Sequence, residues 1–186
     1  MTNSEIIELL QSRLSEKRFN HSIAVAEMSK TLASIYGADK DKAYLAGLMH
    51  DCMREADSSE FIDFVTENNI ELSELESGSQ NLWHAVLGAK FAETVIGIND
   101  NEVLNAIRYH TTGRADMSLL ERIVYIADCT SSDRQYNGVE AMRELAQTDL
   151  DKAVLSALSF CVEDLKRRNI VIHPDTLSAY NHFLNK

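Results

Sequence analysis

Lys42-Ala43-Tyr44-Leu45-Ala46-Gly47-Leu48-Met49-His50-Asp51-Cys52-Met53-Arg54-Glu55 decides how the rest of the chain is read. Ala43, Leu45, Ala46, Leu48 and Met49 make this run apolar on most of a helical circumference, as befits a central helix, and Asp39 stands where a cap would start it. The run ends in an adjacent imidazole and carboxylate, His50-Asp51, delivered side by side at the edge of a core. Such a pair is part of a metal site, and it directs attention outward to other nitrogen and oxygen donors.

At 186 residues the chain is long enough to bury one continuous core without cross-links. A single proline, Pro174, and seven glycines leave no linker, repeat or low-complexity tract, so residues 1–186 are read as one domain. Cys52, Cys129 and Cys161 are odd in number and form no CxxC pair, which suits a reducing compartment and argues against a thiolate zinc site. Met1 to Glu8 has no basic segment followed by an apolar one, and no apolar run approaches the roughly 18 residues of a membrane span. A cytoplasmic protein with no membrane association is therefore expected. The net charge of −11, from 18 basic and 29 acidic residues, opposes attraction to nucleic acid or anionic membrane. A small phosphorylated ligand remains compatible, because a metal ion and a few arginines reverse the sign locally.

Hydrophobic spacing predicts helices throughout. Ile6, Ile7, Leu10 and Leu14 mark the first, starting near Ser4. His21, Val25, Met28, Leu32 and Ile35 follow one face of a second that begins about Asn20 and stops at Gly37. After the central helix, Ser58-Ser59 opens a fourth, and Glu71 to Ser79 reads as a solvated acidic loop with at most one helical turn. A helix from about Leu82 to Ile96 carries His84 in its first turn and sends Val86, Leu87, Phe91 and Val95 to the core. Asn99 with Glu102 and Ser118 with Glu121 resemble capping boxes for helices ending at His110 and Cys129. Gly138 to Ala146 and Leu150 to Arg168 follow, and Pro174 begins the last helix after a brief extended piece, Ile170-Val171-Ile172.

Potential donors then share one property: His21, His50, Asp51, His84, His110 and Asp128 lie at the ends or on the buried faces of core helices. Asp128 follows Val124-Tyr125-Ile126-Ala127, where an unpaired acid is costly to bury and a nearby cation explains it. His21, His50, Asp51 and Asp128 suit one ion, while His84 and His110 suit a second ion or a phosphate.

Arg18-Phe19-Asn20-His21-Ser22, Ala46-Gly47-Leu48-Met49-His50-Asp51, Trp83-His84-Ala85-Val86-Leu87-Gly88-Ala89, Ala106-Ile107-Arg108-Tyr109-His110-Thr111-Thr112-Gly113 and Tyr125-Ile126-Ala127-Asp128, with Arg134 beyond, form an ordered set over about residues 18–134. This set resembles the HD-domain metal-dependent phosphohydrolases, and specifically the bacterial symmetrical diadenosine tetraphosphate hydrolases. The Glu-Pro that often precedes the family's last arginine is replaced here by Ser131-Ser132, followed by Asp133. The resemblance implies an all-α HD-domain helical bundle with a metal site at its centre. It also implies a pair of metal ions bridged by Asp51, iron above manganese or zinc. In the implied reaction a metal-bound hydroxide attacks the tetraphosphate and two ADP molecules leave.

Asp51, His84 and His110 are the expected catalytic residues. Arg18, Arg54 and Arg134 offer planar forks to phosphate, and with Asp51, His84, His110, Asp128 and His173 make up the expected substrate contacts. Thr111, Thr112 and Gly113 are expected along the approach. Two rivals stand beside this reading: an HD phosphohydrolase acting on another nucleotide, and a non-catalytic nucleotide-binding sensor, which the missing Glu-Pro motivates. A Gly-Tyr-Pro companion of the cyclic-dinucleotide phosphodiesterases is absent. A homodimer is compatible with the sequence. Cys52 lacks an activating neighbour and is read as structural, not as a nucleophile.

Overall fold

Thr2 begins the first helix by accepting the Glu5 backbone N–H while the Glu5 side chain returns to the Thr2 backbone, a reciprocal capping box. In the computed structural model, which describes residues 1–186, this helix is α1 (Asn3–Arg13). It is followed by α2 (Glu16–Tyr36), α3 (Lys40–Met49), α4 (Ser58–Glu67), α5 (Glu74–Ser77) and α6 (Gln80–Phe91). A π-helical turn, Ala92–Ile96, extends α6, and α7 (Asn101–Tyr109), α8 (Leu119–Thr130), α9 (Val139–Thr148), α10 (Leu150–Arg167) and α11 (Pro174–Leu184) complete an all-α bundle without strands.

The boundaries follow local chemistry. Ser15, five residues before the expected start of α2, caps it by accepting the Arg18 N–H, and Gly37 ends it with φ of 73°, a left-handed conformation that a side chain would strain. Asp100, not Asn99, caps α7, accepting from the Glu102 N–H, because Asn99 turns its amide to the Gly97 carbonyl. Ser118 caps α8 as expected, but Glu121 does not complete the box: its carboxylate takes a bidentate bond from Arg114 at 2.7 Å.

At the centre, α2 packs against α3 and α8, and α3 also meets α7 and α8. The α2–α3 approach is close enough that a Cβ on Gly47 would lie 2.9 Å from Ala26 Cα and 3.0 Å from the Val25 carbonyl oxygen. Gly47 thus allows the two helices to bring His21 and His50 together, their ring centroids 5.3 Å apart. Leu32, Leu48, Met49, Ile107, Ile123 and Ile126 fill the shared core.

Three further expectations change. Ile35 is exposed, since it lies in the last turn of α2 beyond the packed face. Val95 is exposed and Ile96 buried, because the π-helical turn inserts an extra residue and rotates the helix face. The acidic segment before α6 is not wholly solvated: Glu76, in the single turn of α5, is buried, caps through Ser73 and pairs with Arg108 of α7.

Candidate metal centre

Three helix ends and two helix faces converge around Asp51. His50 and Asp51 emerge at the end of α3, His110 at the end of α7 and Asp128 in the last turn of α8, while His84 comes from α6 and His21 from α2. His50 and Asp51 are 0% and 4% exposed. A carboxylate so enclosed requires partners, and it has them: Arg18 donates at 2.6 Å, and the Nε2 atoms of His84, His50 and His110 lie 3.2, 3.3 and 3.6 Å away. Burial pushes the Asp51 carboxyl up, but the surrounding imidazoles, His50 foremost, outweigh it in their protonated form and hold the group well below the usual carboxylate range.

The histidine tautomers follow from their backbone partners. His50 Nδ1 lies 2.7 Å from the Gly47 carbonyl, His84 Nδ1 2.9 Å from that of Gln80 and His110 Nδ1 2.7 Å from that of Ile107. A carbonyl only accepts, so each Nδ1 carries the proton, and in the neutral ring each Nε2 presents a lone pair inward. His50 Nε2 is buried without a hydrogen bond, and the Nε2 atoms of His84 and His110 face one another at 3.1 Å. Two lone pairs at that distance repel unless a proton or a cation lies between them. Burial pushes the His84 pKa down, opposing the proton. The donor set therefore fits a divalent metal ion, and backbone bonds to the far ring nitrogen are how metal-ligating imidazoles are oriented.

The atoms fall into two overlapping groups, His21 with His50 and Asp51, and Asp51 with His84 and His110. Asp51 belongs to both, so its two oxygens can serve two ions. Asp128 joins the first group from its edge, with Oδ1 2.9 Å from His21 Nε2 and 4.0 Å from His50 Nε2. Its carboxyl is lowered too, burial being outweighed by His21, His50 and Arg134.

Asp133 was absent from the sequence-based set. Its Oδ2 lies 2.8 Å from His21 Nδ1 and its Oδ1 accepts from Ser131 Oγ at 2.7 Å. The signal was the acid two residues beyond the position where the family pattern has its glutamate. Burial lowers the His21 pKa, but its two carboxylate partners prevail and raise it.

Above the cluster is an open pocket of about 400 Å³, lined among others by Asp51, His84, His110 and Asp128 together with Arg18, Arg54 and Arg134. Arg134 pairs with Asp128 through its fork and donates Nε to the Asp128 carbonyl at 2.7 Å, while Arg54 is held by Asn81 Oδ1 at 2.6 Å. Thr111 Oγ1 reaches His110 Nε2 at 3.0 Å. Of the expected site residues, Thr112 and Gly113 do not line this pocket, Thr112 being buried with its hydroxyl donating to the Gly113 carbonyl at 2.9 Å, and neither the pocket nor the cluster beneath it includes His173. It caps α11 by accepting the Asp175 N–H, and its Nε2 lies 3.9 Å from Glu76. Cys52 is buried beneath the cluster and its thiol is pushed up to about 12 by burial, which leaves no thiolate for catalysis.

The HD-domain family profile matches residues 18–133, more than half of the chain and the stretch that supplies every member of this cluster. The symmetrical bis(5'-nucleosyl)-tetraphosphatase of Halalkalibacterium halodurans is 41% identical over 99% of this chain and 98% of its own. The chain belongs to the HD-domain family. Within it, this HD-domain protein groups with the symmetrical bis(5'-nucleosyl)-tetraphosphatases, of which that of Bacillus subtilis is 33% identical over 97% of both chains. A "predicted HD superfamily hydrolase involved in NAD metabolism" from Clostridium acetobutylicum superimposes with a TM-score of 0.94 at 37% identity, covering 100% of this chain and 98% of that one. No helix of this HD-domain protein is long and apolar enough to cross a membrane.

Proposed function

We propose that this HD-domain protein is a metal-dependent hydrolase that cleaves diadenosine tetraphosphate symmetrically to two ADP. The observation that carries the reading is the Asp51-centred cluster, with inward lone pairs on His50, His84 and His110 beneath three arginines in one open pocket. The near full-length similarity to symmetrical bis(5'-nucleosyl)-tetraphosphatases supports the substrate.

In this reading His21, His50, Asp51 and Asp128 hold one ion, and Asp51, His84 and His110 a second. When bound, such ions lower the pKa of water from about 15.7 toward 7 and neutralise charge on a phosphoryl group. The two-ion arrangement is supported by the shared carboxylate of Asp51, and iron by the family resemblance, with manganese and zinc also suited to nitrogen and oxygen donors. Arg18, Arg54 and Arg134 orient the polyphosphate and offset its charge in a protein whose net charge is −11. Asp51, His84 and His110 adjoin the reacting phosphorus, and Thr111 supplies a hydroxyl on the same wall. A site on one domain spanning residues 1–186, in the cytoplasm, completes the proposal, the three free cysteines being its support.

The test is chromatographic separation of the products from diadenosine tetraphosphate incubated with anaerobically purified protein. ADP as sole product is expected. ATP with AMP would move the scissile bond, and no turnover of any nucleotide by metal-loaded protein would favour a binding protein instead.

A further inference from the structure

Beside the metal pocket lies a second hollow of about 560 Å³, mostly apolar, between the loop that follows α8 and the outer face of α10. The two are continuous, since Cys129, Arg134, Ala157 and Phe160 line both. On this shared rim Phe160 is 71% exposed, a ring left in water on an α10 whose opposite face is core. Tyr136, 43% exposed, lines the same hollow, and its hydroxyl donates to the Cys129 carbonyl at 3.0 Å, which fixes the ring against the wall. Met142 supplies a deformable apolar surface, and Asn137 a side-chain donor and acceptor in one group.

We propose that this hollow is a nucleobase subsite, in which Phe160 and Tyr136 stack on a purine whose phosphates lie in the metal pocket. Arg134 lines both spaces and marks the junction where a phosphate meets its nucleoside. Flat aromatic faces beside a positively charged phosphate groove are the recurrent solution for holding a base without a rigid hydrogen-bond code, and the volume falls in the range of small-ligand sites. Asn137 then provides the polar contact to the base edge. The occupant is one nucleoside diphosphate half of the substrate, and the proposal rests on the nucleotide reading given above.

Isothermal titration of metal-loaded protein with ADP and, separately, with inorganic pyrophosphate tests it. Phe160→Ala and Tyr136→Ala should each weaken ADP binding by about 10- to 100-fold while pyrophosphate affinity changes less than about 2-fold. Phe160→Trp should retain ADP affinity. Phe160 is exposed, so its truncation should leave the thermal midpoint unchanged. Unaltered ADP affinity in both alanine variants, or equal loss for ADP and pyrophosphate, would overturn the subsite. The two readings fail separately: wild-type cleavage of diadenosine tetraphosphate to ADP with unaltered ADP affinity in the variants removes only the subsite. Selective loss of ADP affinity with no such cleavage supports the subsite and removes only the substrate.

Discussion

Replacing Asp133 by alanine should weaken metal binding without unfolding the protein. Asp133 accepts from His21 Nδ1 at 2.8 Å and is itself held by Ser131 at 2.7 Å, so it fixes the ring that presents Nε2 to the cluster. Loss of such an outer carboxylate costs 10- to 100-fold in metal affinity in comparable sites, or about 1.4–2.7 kcal/mol. Its direct contribution to the fold is small, because the carboxylate is 40% exposed and exposed pairs contribute at most about 1 kcal/mol. In a protein of this size that corresponds to no more than about 4 °C in the midpoint of chelator-treated protein. Chelator competition against zinc or manganese reads the affinity, and calorimetry in excess chelator reads the fold. Asp133→Glu should recover part of the affinity. Wild-type metal affinity in Asp133→Ala would refute the assignment of Asp133 as the residue that positions His21.

Three further outcomes follow from the same structure. Asp51→Ala and Asp128→Ala should each abolish metal loading and diadenosine tetraphosphate turnover while the circular dichroism of the bundle persists; an active, metal-replete variant would contradict the cluster. Gly47→Ala should destabilise by about 1–3 kcal/mol, lowering the thermal midpoint by about 2–10 °C, since the new methyl meets the α2 backbone; an unchanged midpoint would refute that packing argument. Burial pushes the Glu76 carboxyl up, but Ser73 and the Arg108 guanidinium more than offset this and set it below 4.5. The ion pair therefore stabilises the fold above pH 4.5, and the gain disappears as pH falls through the lowered folded-state value. Glu76→Gln should cost about 1–3 kcal/mol near neutrality, with the difference from wild type vanishing in acid; a pH-independent difference in denaturant midpoint would contradict it.

The helices and the six donors were legible in the sequence because apolar periodicity and caps locate helix ends, and the donors sit at those ends or on the faces between them. His21 could be placed inward from Val25 and Leu32, and Asp128 from the apolar residues before it. Asp133 was not legible by the same logic: it lies in a polar run of serines, where solvent is the default partner, and the contact with His21 spans 112 residues. Glu76 was misread for a related reason. Its partner Arg108 lies on α7, 32 residues away, and composition alone assigns an acidic serine-rich stretch to water. Val95 was assigned to the core by uniform helical spacing, which the π-helical turn breaks. Arg108 itself falls within the motif before His110, yet its fork serves Glu76 and the α5 turn, away from the phosphate pocket.

The most direct test of the account is to strip the protein of metal and add iron back anaerobically, measuring bound ions per chain and diadenosine tetraphosphate turnover on the same samples. Activity that is absent without metal, rises to a maximum at two ions per chain and yields only ADP is the predicted result. Full turnover by metal-free protein, or maximal turnover with ATP and AMP as products, would contradict it.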